Sequence, residues 1–397
     1  MSKPRALVIG GSLSGLFAAN LLRTIGWDVD IFERARGDLA ERGAGLGAQA
    51  DLFNVMRQIG IRIDRSMWTE VHSHVCVARS GESICKVPVQ EVTTAWDRVY
   101  GALRQTYSTG PYHGGMSLTR CELKEGGVVA EFENGARFEA DLLIGADGIR
   151  STVRGQYVPE IAPRYVGYAA WRGIVDEGSI PSQWRARALQ HMVFCLPDGE
   201  LAFSVPIADR DPAGGRRCMF VWFRPAGYAS KLREWCTDAS GVCHGDSIPP
   251  PLIRKEVVAE LKLSAHTLLA PQLAELVASV QQPVLSAIYD LESPRMSFGR
   301  VVLVGDAAFV ARPHVGTSVT KAAQDASTLV DELTKGNVDD ALAAYQRRRM
   351  QAGRELVARG RLLGEHLEPA GRGIRPPIGA FLRDFGPGSI GEWPSTV

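Results

Sequence analysis

Residues 6–33, ALVIGGSLSGLFAANLLRTIGWDVDIFE, constrain this chain more than any other stretch. The apolar run at residues 6–9 reads as a strand of the kind buried in a parallel sheet. Gly10, Gly11, Ser12, Leu13, Ser14 and Gly15 make a tight turn into a segment with Leu16, Ala19, Leu22 and Ile25 at helical spacing. Gly26 suits the end of that helix. Residues 28–33 then alternate as a second strand that finishes on Glu33, 18 residues beyond Gly15. Strand, glycine turn, helix, strand and acid in this order predict a dinucleotide site. The helix start offers free amides and the positive dipole end to a pyrophosphate, and the acid accepts from a ribose diol while disfavouring a 2′-phosphate. Ser12 stands where the fingerprint G-x-G-x-x-G has its middle glycine. Its hydroxyl can donate to a phosphate oxygen, so Ser12 and Ser14 are the expected phosphate neighbours.

Length and charge narrow the rest. A chain of 397 residues predicts two closely joined domains. With 45 Lys+Arg against 44 Asp+Glu, no charge excess points to nucleic acid or an anionic membrane. No run approaches the roughly 18 apolar residues of a membrane span. The basic run Arg347, Arg348 and Arg349 reads as a solvated helix face. The first residues, MSKPRALVIG, enter a strand at once, so no signal peptide and a cytoplasmic location are expected. Cysteines at 76, 85, 121, 195, 218, 236 and 243 form no C-x-x-C pair and are odd in number. Neither a metal site nor a disulfide framework nor dithiol chemistry is expected.

Two later stretches repeat the strand-and-turn pattern. ADLLIGADGIRSTVR, residues 140–154, runs from an apolar strand into Asp147 and Gly148. GRVVLVGDAAFVARPHVGTSVTKAAQDA, residues 299–326, runs from a strand into Gly305 and Asp306, then through a Pro/Gly loop into a helix. In order and spacing the three units resemble the flavoprotein aromatic hydroxylases of the para-hydroxybenzoate hydroxylase class. VGYAAWRGIV at residues 166–175, the substituted turn GGSLSGL and the loop ARPHVGTS are similar to a branch of that family acting on dihydroxypyridines.

The resemblance implies an α/β fold: a Rossmann-like FAD-binding domain, an inserted and mainly antiparallel β-sheet substrate domain, and a C-terminal helix. It is expected that residues 1–71, 98–175 and 285–335 form the first, residues 72–97 and 176–284 the second, and residues 336–397 the helix and a loosely ordered tail. FAD would be held by Gly10, Gly11, Ser12, Leu13, Ser14, Gly15, Glu33, Arg34, Gln49 and Leu118. Asp147, Gly148, Gly305, Asp306, Pro313, Gly316 and Thr317 would complete that site. Asp306 would bind the ribitol chain, and the helix start at Gly316 and Thr317 would favour a negative flavin edge. The implied reaction takes hydride from NADH or NADPH, bound transiently, and passes one atom of O2 to an electron-rich aromatic ring. A hydroxypyridine such as 2,6-dihydroxypyridine is the expected ring, with a phenol or salicylate-like acid as the alternative. Family members are often homodimers, and that expectation carries over.

For proton transfer the candidate is His314, in the loop beyond Asp306; a structural hydrogen bond is its other reading. His191, Tyr168 and Arg172 are the candidate substrate contacts, and Trp171 is either core or a ring platform. Two positions depart from the family: Phe309 replaces its usual histidine, and Trp96 replaces an arginine for which Arg98 or Arg104 could stand in. No W-x-W segment occurs, which excludes a flavin halogenase. A flavin-binding protein without turnover stays open; its NADH oxidation would not depend on an aromatic ring.

Overall fold

The computed structural model describes residues 3–39, 44–209, 215–368 and 376–386. Strands Arg5–Ile9, Leu142–Gly145 and Val301–Leu303 are the three apolar runs of the motifs. They lie side by side as parallel neighbours, with Ile144 opposite both Val8 and Val302. Asp28–Glu33 adds to the other side of Arg5–Ile9 in a sheet of six strands. Such runs have no polar face because helices and the three-stranded sheet of Leu118–Lys124, Gly127–Phe132 and Arg137–Ala140 cover the sheet; Leu13–Thr24 packs against Ser318–Leu333, which also carries a broad buried face. The register brings all three turns to one edge, where parallel α/β sheets bind ligands. There Ala146 N–H donates to Ile9 O (2.8 Å) and Gly10 N–H to Phe32 O (2.8 Å).

A second sheet of nine strands forms the other half. Its middle is antiparallel, pairing Arg164–Asp176 with both Arg217–Pro225 and Val284–Glu292, and Leu201–Ile207 with Arg217–Pro225. His191–Cys195 runs parallel to Thr69–Val77. Side chains alternate across this sheet. Trp171, Val193, Cys195 and Trp222 face helices Lys255–Leu268 and Pro271–Ser279, while Tyr168, Ala170, Met192, Phe194 and Phe223 face the other way. Trp171 is therefore core, fully buried with its ring 5.4 Å from that of Trp235. Arg164–Asp176, Val284–Glu292 and Gly45–Ala48 were expected with the first domain, yet they hydrogen-bond into the nine-stranded sheet. The strands cross the junction, so the boundary runs through them and not between them.

The C-terminal elements depart further from expectation. Helix Val338–Gly364 presents Gly353, Gly360 and Gly364 along a closely packed face. A Cβ at Gly353 would stand 2.5 Å from the Phe309 ring, so the phenylalanine that replaces the family's histidine fills space beneath this helix. Arg347 and Arg348 are exposed as expected of the basic run, but Arg349 turns inward and donates from Nε to Asp325 Oδ1 (2.6 Å). Within the tail, Ile378–Asp384 is a helix that buries Phe381 and Leu382, and Phe385 after it is buried as well. Those apolar side chains seal one end of the nine-stranded sheet's open face. Residues 369–375 and 387–397 of the tail lie outside the described residues.

Candidate active site

At the shared edge of the parallel strands the main chain is crowded. Gly10 has φ +107°, and a Cβ there would stand 2.3 Å from Ala146 O; one on Gly15 would stand 1.9 Å from Gly10 O. Gly305, at φ +62°, would meet the Ser14 hydroxyl oxygen at 2.1 Å. The first and third motifs thus form one surface, with Ala146 and Asp147 beside them. Ser12 caps helix Leu13–Thr24 in extended conformation, and its hydroxyl makes no capping bond. Leu13 is buried, while Ser12 and Ser14 are half-buried. Glu33 accepts from Gly11 N–H (2.8 Å) and Ala35 N–H (2.9 Å), one on each carboxylate oxygen. Each oxygen keeps a lone pair for a sugar hydroxyl. Arg34 beside it is exposed, Gln49 caps helix Ala50–Gln58, and Leu118 is buried at the head of strand Leu118–Lys124.

Asp147 Oδ2 accepts from Thr152 N–H (2.7 Å) and Val153 N–H (3.2 Å), while Oδ1 is buried without a partner. Burial pushes its carboxyl above the usual range, against the pull of these hydrogen bonds. Gly148 follows at φ +77°. Asp306 is open to solvent in its cleft, though protein surrounds it closely enough to raise its carboxyl; Lys321 opposes that rise and Asp325 adds to it. Behind the turn, Lys321 Nζ donates to Gly305 O (2.8 Å) and Asp325 Oδ2 (2.9 Å), and Gly305 N–H donates to the same Asp325 oxygen (2.9 Å). The sequence reading missed this clamp. Its signal was a lysine and an aspartate four residues apart in the helix that follows the turn.

Gly316, at φ +65°, and Thr317 open helix Ser318–Leu333, and the Thr317 hydroxyl is buried without a partner. Pro313 and Gly316 also border a cavity of about 180 Å3 on the open face of the nine-stranded sheet. Its walls are mostly apolar, among them Met192, Phe203, Val221 and Phe223, and the end is closed by Phe385 and Gly386. The polar groups on its lining side chains are Glu91, Thr93, Arg172 and Ser286. Arg172 donates from Nη2 to Ser286 Oγ (2.8 Å), its Nε has no partner, and burial lowers its affinity for the proton.

Of the other sequence candidates, Tyr168 and His314 lie behind the cavity wall. His314 is fully buried, with Nε2 2.9 Å from the Tyr168 hydroxyl and its ring against Phe223. Burial, with Arg312 and His366 nearby, drives its pKa well below the ordinary value. Expected as the proton-transfer group, it instead holds Tyr168 and the loop at Pro313; Gly386 N–H donates to its carbonyl (2.9 Å). His191 is corrected for a simpler reason. Met192 lines the cavity, so its neighbour His191 points to the other face, where it meets His72 edge-on at 6.5 Å. Trp96 stacks on Tyr100, and Arg98 donates to Ser66 Oγ, while Arg104 lies over the Tyr112 ring.

Among the described residues no helix is long and apolar enough to cross a membrane. The sequence matches the FAD binding domain family over residues 3–213 and 247–360. It is 31% identical to 2,6-dihydroxypyridine 3-monooxygenase of Paenarthrobacter nicotinovorans, covering 99% of this chain and 98% of that protein. Salicylate hydroxylase of Pseudomonas putida is 28% identical over 85% of this chain and 80% of its own. The solved structure of 2,6-dihydroxypyridine-3-hydroxylase from Arthrobacter nicotinovorans superposes with a TM-score of 0.89 at 28% identity, over the whole of both chains. The glycine cradle, the orphaned Asp147 Oδ1 and the free Thr317 hydroxyl suit the pyrophosphate and polyol of the cofactor these proteins share. The chain belongs to the FAD-dependent aromatic monooxygenases, enzymes that draw on NAD(P)H.

Proposed function

We propose that this enzyme hydroxylates a hydroxypyridine such as 2,6-dihydroxypyridine, bound in the cavity beside Arg172, with NADH as reductant. Arg172 carries the reading. It is a guanidinium turned into an apolar cavity, bonded only to a serine hydroxyl and paired with no carboxylate among the described residues. A cation kept unpaired in such a place favours an anionic occupant. A hydroxypyridine that has lost its proton is such an anion, and the charge it spreads over the ring is what makes the ring carbons electron-rich. The 31% identity to the dihydroxypyridine enzyme over the whole chain supports the same ring class.

Gly10, Gly11, Ser12, Leu13, Ser14 and Gly15 would hold the pyrophosphate, with Asp147 and Gly148 beside it. Glu33 and Arg34 would take the adenosine ribose and Asp306 the ribityl hydroxyls, while Gln49 and Leu118 would border the cofactor. Beside Pro313 and Gly316, Thr317 would present its amide and hydroxyl to the flavin where the cavity opens. Bound FAD supplies hydride acceptance from NAD(P)H and activation of O2. The protein's part is to orient the ring, keep its charge and exclude water; the apolar walls and the seal at Phe385 serve the last.

Arg172 would equally hold a ring carboxylate, which is the ground for a salicylate-like acid as the second reading. Anaerobic bleaching of the flavin absorbance by NADH separates the two. Fast bleaching that requires 2,6-dihydroxypyridine supports the proposal. Acceleration by salicylate alone would move the ring class to aromatic acids, and bleaching indifferent to both would leave the cavity without its assigned ligand.

A further inference from the structure

One acid faces the cavity that no sequence reasoning singled out. Glu91 lies on strand Ser83–Ala95, whose Val87, Val89, Glu91 and Thr93 share a face by period two. It is 3% exposed and lines the cavity. Behind it, His74 is fully buried on the neighbouring strand, with Nε2 3.2 Å from Glu91 Oε2 and Nδ1 2.6 Å from Leu382 O. A carbonyl can only accept, so Nδ1 carries a hydrogen. An Nε2 lone pair directly facing a carboxylate oxygen at that distance would be repulsive, so a proton also lies between His74 and Glu91. The pair is a buried acid–base unit with its carboxylate end turned to the cavity.

We infer that Glu91 accepts the proton of the ring hydroxyl, with His74 as its positioning residue. This rests on the reading of the cavity as the substrate site. The ring O–H bond breaks, its electron pair stays on the ring oxygen, and the proton moves to the Glu91 carboxylate, which His74 holds in place. The negative charge passes from Glu91 to the ring, where Arg172 balances it. Of the other charged or titratable groups, Glu70 and His72 on the His74 strand, Lys86 on the Glu91 strand, and Arg383 and Asp384 on the helix bearing Leu382 are exposed, while His366 and His314 are buried against the Phe381 and Phe385 rings. His191, on the third neighbouring strand, belongs to the opposite face.

The test compares FAD-loaded wild type with Glu91→Gln, Glu91→Asp and His74→Gln, using 2,6-dihydroxypyridine and salicylate as probes. Product and H2O2 per NADH are measured across pH, with ring binding read from the flavin absorbance. Glu91→Gln is expected to bind the ring and hydroxylate it about 100-fold more slowly, within the usual range for a lost acid–base group. NADH electrons should then emerge as H2O2, and the acidic limb of the pH profile should vanish. Glu91→Asp should recover part of the hydroxylation. His74→Gln should lower kcat while leaving KM for the ring near its wild-type value, because the carboxylate is still present but no longer held in place. Should Glu91→Gln fail to retain FAD or melt early, Glu91→Asp decides by the same profile. Wild-type rate and profile in the Glu91 variants would overturn the inference and leave the cavity reading standing. A wild-type enzyme that binds neither ring would remove both.

Discussion

Gly305 approaches Ser14 so closely that a Cβ on the glycine would stand 2.1 Å from the serine hydroxyl oxygen. Two turns nearly three hundred residues apart in sequence are thus in contact, and the contact needs a residue without a side chain at φ +62°. Gly305→Ala adds strain of about 1–3 kcal/mol from the backbone alone, before the clash is counted. The variant should purify with under half the wild-type flavin content, read from the ratio of visible to protein absorbance. Ser14→Gly in the same chain should restore part of it; if the double variant is no better, the contact is not the cause.

Asp306 stands in its cleft with no hydrogen-bonded partner among the described residues, and closeness of protein raises its carboxyl. Polyol hydroxyls would supply the missing donors. Hydrogen bonds to a charged acceptor contribute about 1.5–3 kcal/mol each, so Asp306→Ala should weaken FAD binding at least tenfold. Titration of the apoprotein with FAD, followed by flavin fluorescence, measures this. Unchanged affinity would overturn the ribityl assignment.

Lys321 holds Gly305 O and Asp325 at 2.8 and 2.9 Å inside the protein. Removing one partner of a buried pair costs roughly 3–5 kcal/mol when the other is left alone. Here Arg349 still reaches Asp325, so Lys321→Met should destabilise by less, about 2 kcal/mol. Urea unfolding should show this shift, and Lys321→Met with Asp325→Asn should narrow the gap only in part, because Arg349 then loses its own carboxylate partner.

For Arg172→Gln the expectation is a KM for the ring raised by 10-fold or more at nearly unchanged FAD content, since the guanidinium touches the cavity and not the glycine cradle. Steady-state kinetics at saturating NADH would show it. A fall in kcat alone, with KM constant, would place the role of Arg172 in the reaction and not in holding the ring.

Acid stability should turn on Asp290. Burial raises its carboxyl, but Arg361, Arg164 and Arg312 outweigh that and bring its pKa down to about 2. A depressed folded-state pKa means stability that is present above the ordinary value of 3.8 and lost as pH falls through about 2. Thermal melting should therefore stay level toward pH 4 with respect to this group and drop below it. In Asp290→Asn the melting temperature should be lower at neutral pH, and the acid drop smaller.

The cofactor half was legible because its signals are local. Each motif strand is a short apolar run, each turn needs glycine at a fixed offset, and the helix after Gly10 declares itself by spacing. The register that sets the turns side by side follows from parallel pairing. The substrate half was less legible because facing depends on strand parity across distant pairs. A one-residue difference separates Met192, in the cavity, from His191, outside it. Glu91 carried a usable signal, an acid on the apolar face of an alternating strand, yet only the pairing with Thr69–Val77 sets His74 behind it. His314 misled for a similar reason: its neighbours Pro313 and Gly316 reach the cavity while its own ring turns into the core.

The most direct test of the central claim is reaction of the purified enzyme with NADH and 2,6-dihydroxypyridine under 18O2, with the product analysed by mass spectrometry. The account predicts one 18O atom incorporated into the ring as a new hydroxyl. NADH consumption that yields only H2O2, or a product whose new oxygen comes from water, would contradict it.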